Sequence, residues 1–398
     1  MQRTRWMSWG AVKETLKEIV DEEDKQSPLS DEAIVKELKA RGIFGKVQEK
    51  ITEGSSPDLK VLEVLVEEKA TGEIVAGAGV GTDGTSFMFS VKENNWLGRG
   101  VKLESTLNLS EEKVSGNILV NNPNYNYSGN SVYSSLNVSS SDKTLSSGYE
   151  SSKTGFALGS EFEQYEDIFL SPEISAAYER IDVQSTASSA MKKMDGTFNN
   201  MDFSYGITVD KRNQVFQPTS GYRTKFSQTL PLIMDSSALL NGIDASSYHA
   251  FSEDLIGAIK FHARSIHGLD DDDVRVTRRL YLPSRQLRGF KTSRVGPKDG
   301  NDWIGGNYTT ALAFEAQMPN LLPEDTKTDV SAFVDTGNVW AVDYSDSLDD
   351  TNTIRSSIGV AANVYTVIGP LSLVFAQDLT KASTDETESF NFRIGTSF

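Results

Sequence analysis

The chain has 398 residues, a formal net charge of -17 and no cysteine. The acidity argues against a protein that binds nucleic-acid phosphates, and the lack of cysteine excludes disulfides, cysteine nucleophiles and thiolate metal sites. The mean hydropathy is -0.37, and no run approaches the roughly 18 apolar residues of a membrane-spanning helix. These values do not exclude a membrane β-barrel, because only alternate residues of its strands face lipid.

Residues 1 to about 70 have the pattern of a small α+β domain. Apolar residues at helical spacing from Val12 to Val20 predict one helix, and a second is predicted from about Asp31 to Arg41. Two strand-like segments follow, Lys46 to Ile51 and Lys60 to Glu68, separated by a turn rich in Gly, Ser, Pro and Asp. Two helices and two strands in this order predict a small sheet with helices on one face.

From about Glu73 onward the sequence predicts strands, about sixteen in all, separated by turns rich in Gly, Asn, Asp, Ser and Pro. Apolar and polar residues alternate in many of them; Ile354, Ile358 and Val360, for example, share one face. Many segments run for about ten residues, the length with which a tilted strand crosses a bilayer. We therefore predict a mainly β fold, an antiparallel transmembrane barrel of about 16 strands, because closure removes exposed strand edges.

The first predicted barrel strand carries glycines at alternate positions, Gly77, Gly79 and Gly81. They do not form a dinucleotide-binding loop, since no helix follows them. Glycine packs no side chain and costs entropy in a strand, so this strand is expected to pair weakly. It suits the seam at which the barrel closes, which we predict between Glu73–Thr82 and Ser389–Phe398.

The last ten residues have the pattern of the strand that closes such a barrel. Phe390, Phe392, Ile394 and Phe398 fall on one face, and Ser, Asn, Arg and Gly residues occupy the other. Aromatic residues of bacterial outer-membrane barrels sit at the lipid interface, which fits the aromatic residue at position 398. Considered alone, the segment would also fit the last strand of a soluble β-sandwich.

The longest segment without predicted strands is about 268–303, and it contains Arg288, Gly289 and Phe290. A loop of this length is usually either functional or disordered. Without further context, an arginine in such a loop is more often simply exposed to solvent.

The strand from Val330 to Trp340 supplies that context. Phe333 and Asp335 share the face that we expect to point into the barrel, and an aspartate there needs a partner or water. Arg288, on a loop folded into the lumen, could form a bidentate pair with this carboxylate. Glu315, inward-facing on the preceding strand, is a second candidate partner. We therefore predict that Arg288 and Asp335 fix the loop inside the lumen.

Other chemical signals are weak. Asp270 to Asp273 could bind calcium, but a solvated charge run is the commoner meaning of such a segment. His249, His262 and His267 lack the spacing of a metal site, and no serine, histidine and acid set stands out as a nucleophile system. We therefore expect no enzyme, no cofactor and no metal.

Taken in order along the chain, several motifs resemble the carboxyl-terminal part of the BamA family of outer-membrane protein assembly factors, or a close relative in that superfamily. Residues about 10 to 69 resemble the last POTRA domain of that family. The other motifs are an Arg-Gly-aromatic loop, a Phe-x-Asp-x-Gly strand and an aromatic carboxyl terminus: Arg288-Gly289-Phe290, Phe333-Val334-Asp335-Thr336-Gly337, and Phe398.

This resemblance implies a POTRA-like periplasmic domain over residues 1–70 and an outer-membrane barrel over residues 71–398. It implies insertion and folding of other β-barrel proteins, with unfolded barrel clients, the lipid bilayer and accessory lipoproteins at the POTRA domain as partners, and no nucleic acid. The family carries several POTRA domains and this chain only one, and Met1 to Trp9 lack the apolar stretch of a signal peptide. We therefore expect a fragment of a longer precursor or a reduced family member.

Two other functions remain open. One is a pore of the same superfamily that exports a polypeptide through its lumen, which a mobile plug helix would favour. The other is a passive porin, which the POTRA-like segment argues against.

Overall fold

The computed structural model describes residues 44–53, 60–126, 128–235, 237–269, 273–366 and 369–395. The two helices predicted before residue 44 lie outside these residues, as do Phe398 and most of the acidic run from Asp270 to Asp273. Among the described residues, no helix is long and apolar enough to cross a membrane.

The chain divides into two compact units, and the one that contains the amino terminus includes a separate two-stranded sheet. Strands β1 (Phe44–Glu53) and β2 (Lys60–Glu68) pair antiparallel over their lengths. Both strands predicted before residue 70 are therefore present. The assignment of residues 1–70 to a POTRA-like domain remains a prediction.

Sixteen strands form a closed antiparallel barrel, which confirms the predicted mainly β architecture and its strand number. In chain order they are β3 (Gly72–Gly81), β4 (Gly84–Trp96), β5 (Val101–Ser110), β6 (Lys113–Tyr125), β7 (Asn130–Lys143), β8 (Tyr149–Tyr165), β9 (Ile168–Val183), β10 (Gly196–Asp210), β11 (Gly221–Met234), β12 (Ala238–Ser252), β13 (Leu255–Gly268), β16 (Tyr308–Met318), β17 (Thr328–Trp340), β18 (Arg355–Thr366), β19 (Gly369–Thr380) and β20 (Phe390–Gly395).

The longest connections leave the barrel at the same end, called here the loop end, where β3 finishes and β20 begins. They comprise residues 184–195, 269–307 and 341–354. The segment 269–307 contains a hairpin of β14 (Lys298–Asp299) and β15 (Asp302–Trp303). Helix α1 (Thr144–Ser147) lies between β7 and β8, and helix α2 (Ser189–Lys192) lies within the connection 184–195. They were not predicted, because a four-residue helix is too short to produce a periodic pattern.

The two faces of the wall differ as the alternating pattern predicts. Val334, Ile358 and Phe375 lie on the outer face and are 40%, 47% and 54% exposed, which suits contact with lipid rather than water. Polar side chains on the inner face bond to one another in several places. The hydroxyl oxygens of Ser204 and Thr229, for example, lie 2.9 Å apart on the adjacent strands β10 and β11. Such pairing avoids the cost of isolated polar groups.

The barrel closes where β20 meets β3, as the sequence predicts, and this junction is called the seam below. Among the described residues the two strands are in register over only three pairs, Gly79 with Gly395, Val80 with Ile394 and Gly81 with Arg393. By comparison, β13 and β16 are in register from Ile256 to Ser265. The backbone pairing that closes the described barrel is therefore short.

The glycine at position 81 has a steric role that the sequence did not reveal. A Cβ atom there would lie well inside van der Waals contact with the carbonyl oxygen of Phe392 on the facing strand. Gly395 has a φ of +135°, and a Cβ atom on it would likewise overlap the carbonyl oxygen of Ala78. Glycine therefore permits close approach at the seam, in addition to lowering strand propensity.

We predict that Gly81→Ala loosens the seam, because the added methyl group meets backbone atoms that cannot rotate away. Amide hydrogen exchange at residues 392–395 should become faster than in the wild type, with the rest of the barrel unchanged. Gly116→Ala is the matched control, since no atom lies within 4 Å of the added methyl group. Equal exchange in all three proteins would show that the seam accommodates a side chain.

Candidate functional site

The long loop 269–307 is fixed at its beginning by three arginines that the sequence analysis did not single out. Arg275 lies 3.5 Å from Glu179 and donates to Asn200 at 2.6 Å. Arg278 lies 3.3 Å from Asp202. Arg279 pairs with Asp343. The sequence signal that could have indicated these pairs is the cluster of arginines in a long loop of an acidic chain, because buried cations need anionic partners.

Beyond these arginines the loop turns inward and buries an apolar core of its own. Leu282, Leu287, Phe290 and Val295 are almost fully buried, and they pack with Ala311 and Val339 of the barrel wall. Burial of a large apolar side chain contributes roughly 1.5–3 kcal/mol. The loop is thus attached to the wall by packing as well as by charge.

Arg288 lies between two carboxylates of the inner wall. Its Nε and Nη2 atoms donate to the two oxygens of Asp335 at 2.7 and 2.6 Å, and its backbone N–H donates to the same carboxylate at 3.0 Å. Its Nη1 atom lies 2.8 Å from Glu315. The structure therefore brings together the arginine and both of its candidate partners. This set of contacts is called the loop lock below.

Phe333 completes the surroundings of the guanidinium group. The Cζ atom of Arg288 lies 3.5 Å from the centre of the Phe333 ring, which itself is buried. A guanidinium over an aromatic face is attracted by the ring quadrupole, more strongly where water is excluded. Burial lowers the pKa of Arg288, but Asp335 and Glu315 raise it by more, so its pKa lies above the usual value. The arginine is therefore always charged.

Two residues outside the predicted set complete the ion network. Lys260 donates to Glu315 at 2.7 Å, so this carboxylate has two cations beside it. Ser357 donates from its hydroxyl to the backbone carbonyl of Arg288. Both project from neighbouring strands, and only the register of the folded barrel shows that they reach the loop.

The two glycines of the predicted motifs permit close packing around Arg288. Gly289 has a φ of +91°, a conformation that favours glycine, and a Cβ atom there would lie 3.2 Å from both Ala376 and Ser357. A Cβ atom on Gly337 would lie 2.8 Å from the carbonyl oxygen of Thr310 and 3.2 Å from Leu282. The loop therefore lies closer to the wall than a chain with side chains at these positions would allow.

The same loop is bonded to the segment that leads into the last strand. Phe290 and Thr387 form an isolated antiparallel bridge, in which Glu388 N–H donates to the carbonyl of Gly289 at 2.9 Å. Lys291 and Glu386 add an ion pair at 3.0 Å, which lowers the pKa of Glu386. The position of the loop and the start of β20 are thus physically connected.

A second buried arginine fixes the same segment. Arg355 is fully buried and donates from Nε and Nη2 to Asp385 at 2.8 and 2.9 Å. It also donates to Asp350 at 2.9 Å, in the connection between β17 and β18. This cluster was not predicted, because Arg355 occupies a polar position at the beginning of a strand, and such a position alone does not indicate a buried ion pair.

The described residues of the closing strand alternate between the two faces of the wall. Phe390 is 40% exposed on the outer face, and its ring centre lies 4.8 Å from that of Phe375 and 6.1 Å from that of Phe392. Ile394 is opposite Val80 across the seam. Gly77 lies on β3, outside the three seam pairs.

No group of three or more histidine and acidic residues that could hold a metal ion occurs within the described part of the chain. The three histidines have other neighbours. His262, for example, lies 2.7 Å from Asp244, which also pairs with Arg264.

The fold places this chain among the sixteen-stranded membrane β-barrels, with a long loop fixed on the inner wall. The model of the Omp85 superfamily domain matches residues 95–398, and the chain belongs to that superfamily. A second model, the Sigma-54 DNA binding domain, matches residues 1–47, too little of the chain to assign it to that family.

Known proteins agree with this assignment. The outer membrane protein assembly factor BamA of Neorickettsia risticii is 26% identical over 230 residues, which cover 56% of this chain and 31% of that protein. The crystal structure of BamA from Haemophilus ducreyi lacking POTRA domains 1–3 has a TM-score of 0.88 at 21% identity, covering 96% of this chain and 82% of that one. CdiB from Acinetobacter baumannii has a TM-score of 0.57 at 10% identity, covering 99% and 73%. The chain thus has the BamA fold and spans about a third of the length of the BamA relative that it matches.

We predict that Arg288→Ala destabilises the barrel substantially, because it leaves the buried carboxylate of Asp335 without its cation and Glu315 with Lys260 alone. Removal of one partner from a buried ion pair costs roughly 3–5 kcal/mol. Thermal unfolding in detergent, followed by heat-modifiable gel migration, should therefore shift to lower temperature. Arg288→Lys should recover only part of the loss, since lysine cannot form the bidentate pair.

The control for this prediction is Arg180→Ala. Arg180 pairs with Asp182 at 2.8 Å, but both side chains are more than half exposed, and such surface pairs contribute little. If Arg288→Ala unfolds at the same temperature as Arg180→Ala, the loop lock does not stabilise the barrel.

Proposed function

We propose that this chain inserts and folds β-barrel proteins in the bacterial outer membrane. The observation that carries the proposal is the seam, where three register pairs among the described residues, with glycines on both strands, close the barrel. The similarity of this chain to BamA of Neorickettsia risticii, an outer membrane protein assembly factor, supports the same function. The loop lock and the seam strands are the residues that we assign to it.

The physical problem in this reaction is the free edge of an incomplete sheet. In hydrocarbon each unpaired backbone group costs several kcal/mol. A catalyst can lower that cost by offering its own strand edge to the client, which is strand addition to a sheet. We propose β3 as the edge that is offered, because separation of the short seam would expose its hydrogen-bonding groups.

The partners and location follow from this proposal. Unfolded outer-membrane β-barrel proteins are the clients, and the barrel itself lies in the outer membrane. Residues 1–70 would form a periplasmic POTRA-like domain that receives clients or accessory lipoproteins along β1 and β2, whose two-stranded sheet is too small to be stable alone. No covalent step, cofactor or metal is part of this function.

The proposal is tested by a client-insertion assay in liposomes. Wild-type protein should accelerate the folding of a small unfolded outer-membrane barrel, measured by heat-modifiable gel mobility. Absence of acceleration together with a large steady conductance would instead support a pore, either exporting or passive. Arg288→Ala should lower the rate, because a released loop no longer positions the segment that leads into β20.

A disulfide across the seam provides the sharper prediction. Val80 and Ile394 are in register on facing strands, so Val80→Cys with Ile394→Cys should form a cross-strand bond in a chain that has no other cysteine. The oxidised variant should insert clients no faster than protein-free liposomes, and reduction should restore the rate.

The matched control joins β20 to its other neighbour. Leu373 and Phe392 are in register within the continuous wall, so Leu373→Cys with Phe392→Cys restrains the same strand and leaves the seam free. This variant should remain active when oxidised. Full activity of the oxidised Val80–Ile394 variant would show that clients do not enter through the seam.

A further inference from the structure

Three polar side chains meet where the seam reaches the loop end of the barrel. Arg393 on β20 donates from Nη2 to the carboxylate of Asp83 at 2.9 Å, and Asp83 lies in the turn between β3 and β4. The same Nη2 atom donates to the hydroxyl oxygen of Ser284 at 2.6 Å, and this hydroxyl donates to Asp83 at 3.1 Å. The group therefore joins the two strands of the seam to the long loop.

Ser284 is held in place by the loop itself. It is 4% exposed, its hydroxyl accepts from Thr292 at 2.9 Å, and its backbone N–H donates to the Thr292 hydroxyl at 3.1 Å. Ser284 precedes Arg288 by four residues, between the buried side chains of Leu282 and Leu287. The loop lock thus determines where the Ser284 hydroxyl lies.

The loop also forms backbone hydrogen bonds with the segment that precedes β20. Lys291 N–H donates to the carbonyl of Glu386 at 3.0 Å, and Glu386 N–H donates to the carbonyl of Arg294 at 3.1 Å. A single loop is therefore bonded to the segment before β20, to β20 itself through Arg393 and to the β3 side through Asp83.

We infer that Asp83, Ser284 and Arg393 form a polar clasp that keeps the seam closed, and that movement of the loop releases it. The three are positioning residues for the reaction proposed above. Their role in that reaction rests on the proposed function, whereas their effect on seam closure does not. The loop lock fixes Ser284, Ser284 aligns Asp83 with Arg393, and their pairing keeps β20 against β3.

The surroundings explain why the clasp can open. The side chains of Arg393 and Asp83 are 26% and 34% exposed, so their direct pairing alone is a partly solvated contact of modest strength. The buried Ser284 hydroxyl adds a bond to each charged partner. Hydrogen bonds to charged groups are stronger than bonds between neutral groups. Withdrawal of Ser284 therefore converts a three-part network into a single weak ion pair.

The test measures amide hydrogen exchange of the full chain folded in lipid nanodiscs, without any client. The reporters are residues 79–81 and 393–395, together with Thr82 N–H, which donates across the seam to the carbonyl of Phe392 at 3.0 Å. Asp83→Asn and Ser284→Ala should each accelerate exchange at these amides by about tenfold or more. Arg180→Gln, a change in an exposed pair on β9, is the matched control and should have no effect there.

A double-mutant comparison separates the clasp from a simple ion pair. If loop position controls the clasp, Arg288→Ala alone should accelerate seam exchange, and Asp83→Asn should add little to it. If the exchange rate of the double variant equals the product of the two single accelerations, the coupling between the loop and the clasp is overturned. Exchange unchanged by both Asp83→Asn and Ser284→Ala would overturn the clasp.

This experiment is independent of the client assay. A protein that accelerates no client but shows faster seam exchange in the clasp variants would overturn the proposed function and support the clasp. If all clasp variants insert clients at the wild-type rate and also show wild-type seam exchange, the function is supported and the clasp is overturned.

Discussion

Hydrocarbon offers no hydrogen-bonding partner, so every backbone group of a membrane wall must be paired within the protein. Fifteen of the sixteen junctions of this barrel join strands that follow one another along the chain, and the sixteenth joins its first and last strands. That last junction is in register over three described pairs, and the polar contacts beside it include the loop lock, the Arg355 cluster and the clasp. The long loop and its polar contacts therefore support this one closure.

The lumenal charges show how an acidic chain supports that closure. The loop and the strands around it carry arginines whose partners are wall or loop carboxylates, as in Arg288 with Asp335 and Arg355 with Asp385. Breaking a buried pair is costly, whereas the pair as a whole can be nearly neutral for stability. We therefore regard these pairs as elements that determine the position of the loop rather than as a source of net stability.

Much of this arrangement was predictable from local pattern. Strand alternation gave the barrel and placed Asp335 inside it, and an inward aspartate required a cation that a long loop could supply. The clasp was not predictable, because Asp83, Ser284 and Arg393 are far apart in sequence and meet only through the register of the closed barrel. Gly81 was noticed for its low strand propensity, but its close approach to Phe392 depends on that register as well. Phe398 and the predicted amino-terminal helices lie outside the described residues.

The location of the seam has a consequence for the order of events in the proposed reaction. Gly79 to Gly81 of β3 are in register with Arg393 to Gly395 of β20. If an incoming strand pairs with each β3 residue as its β20 partner leaves, β20 is displaced one residue at a time, as in strand exchange between nucleic acids. On this route each bond that breaks is replaced at once, so no fully open intermediate has to form in the lipid.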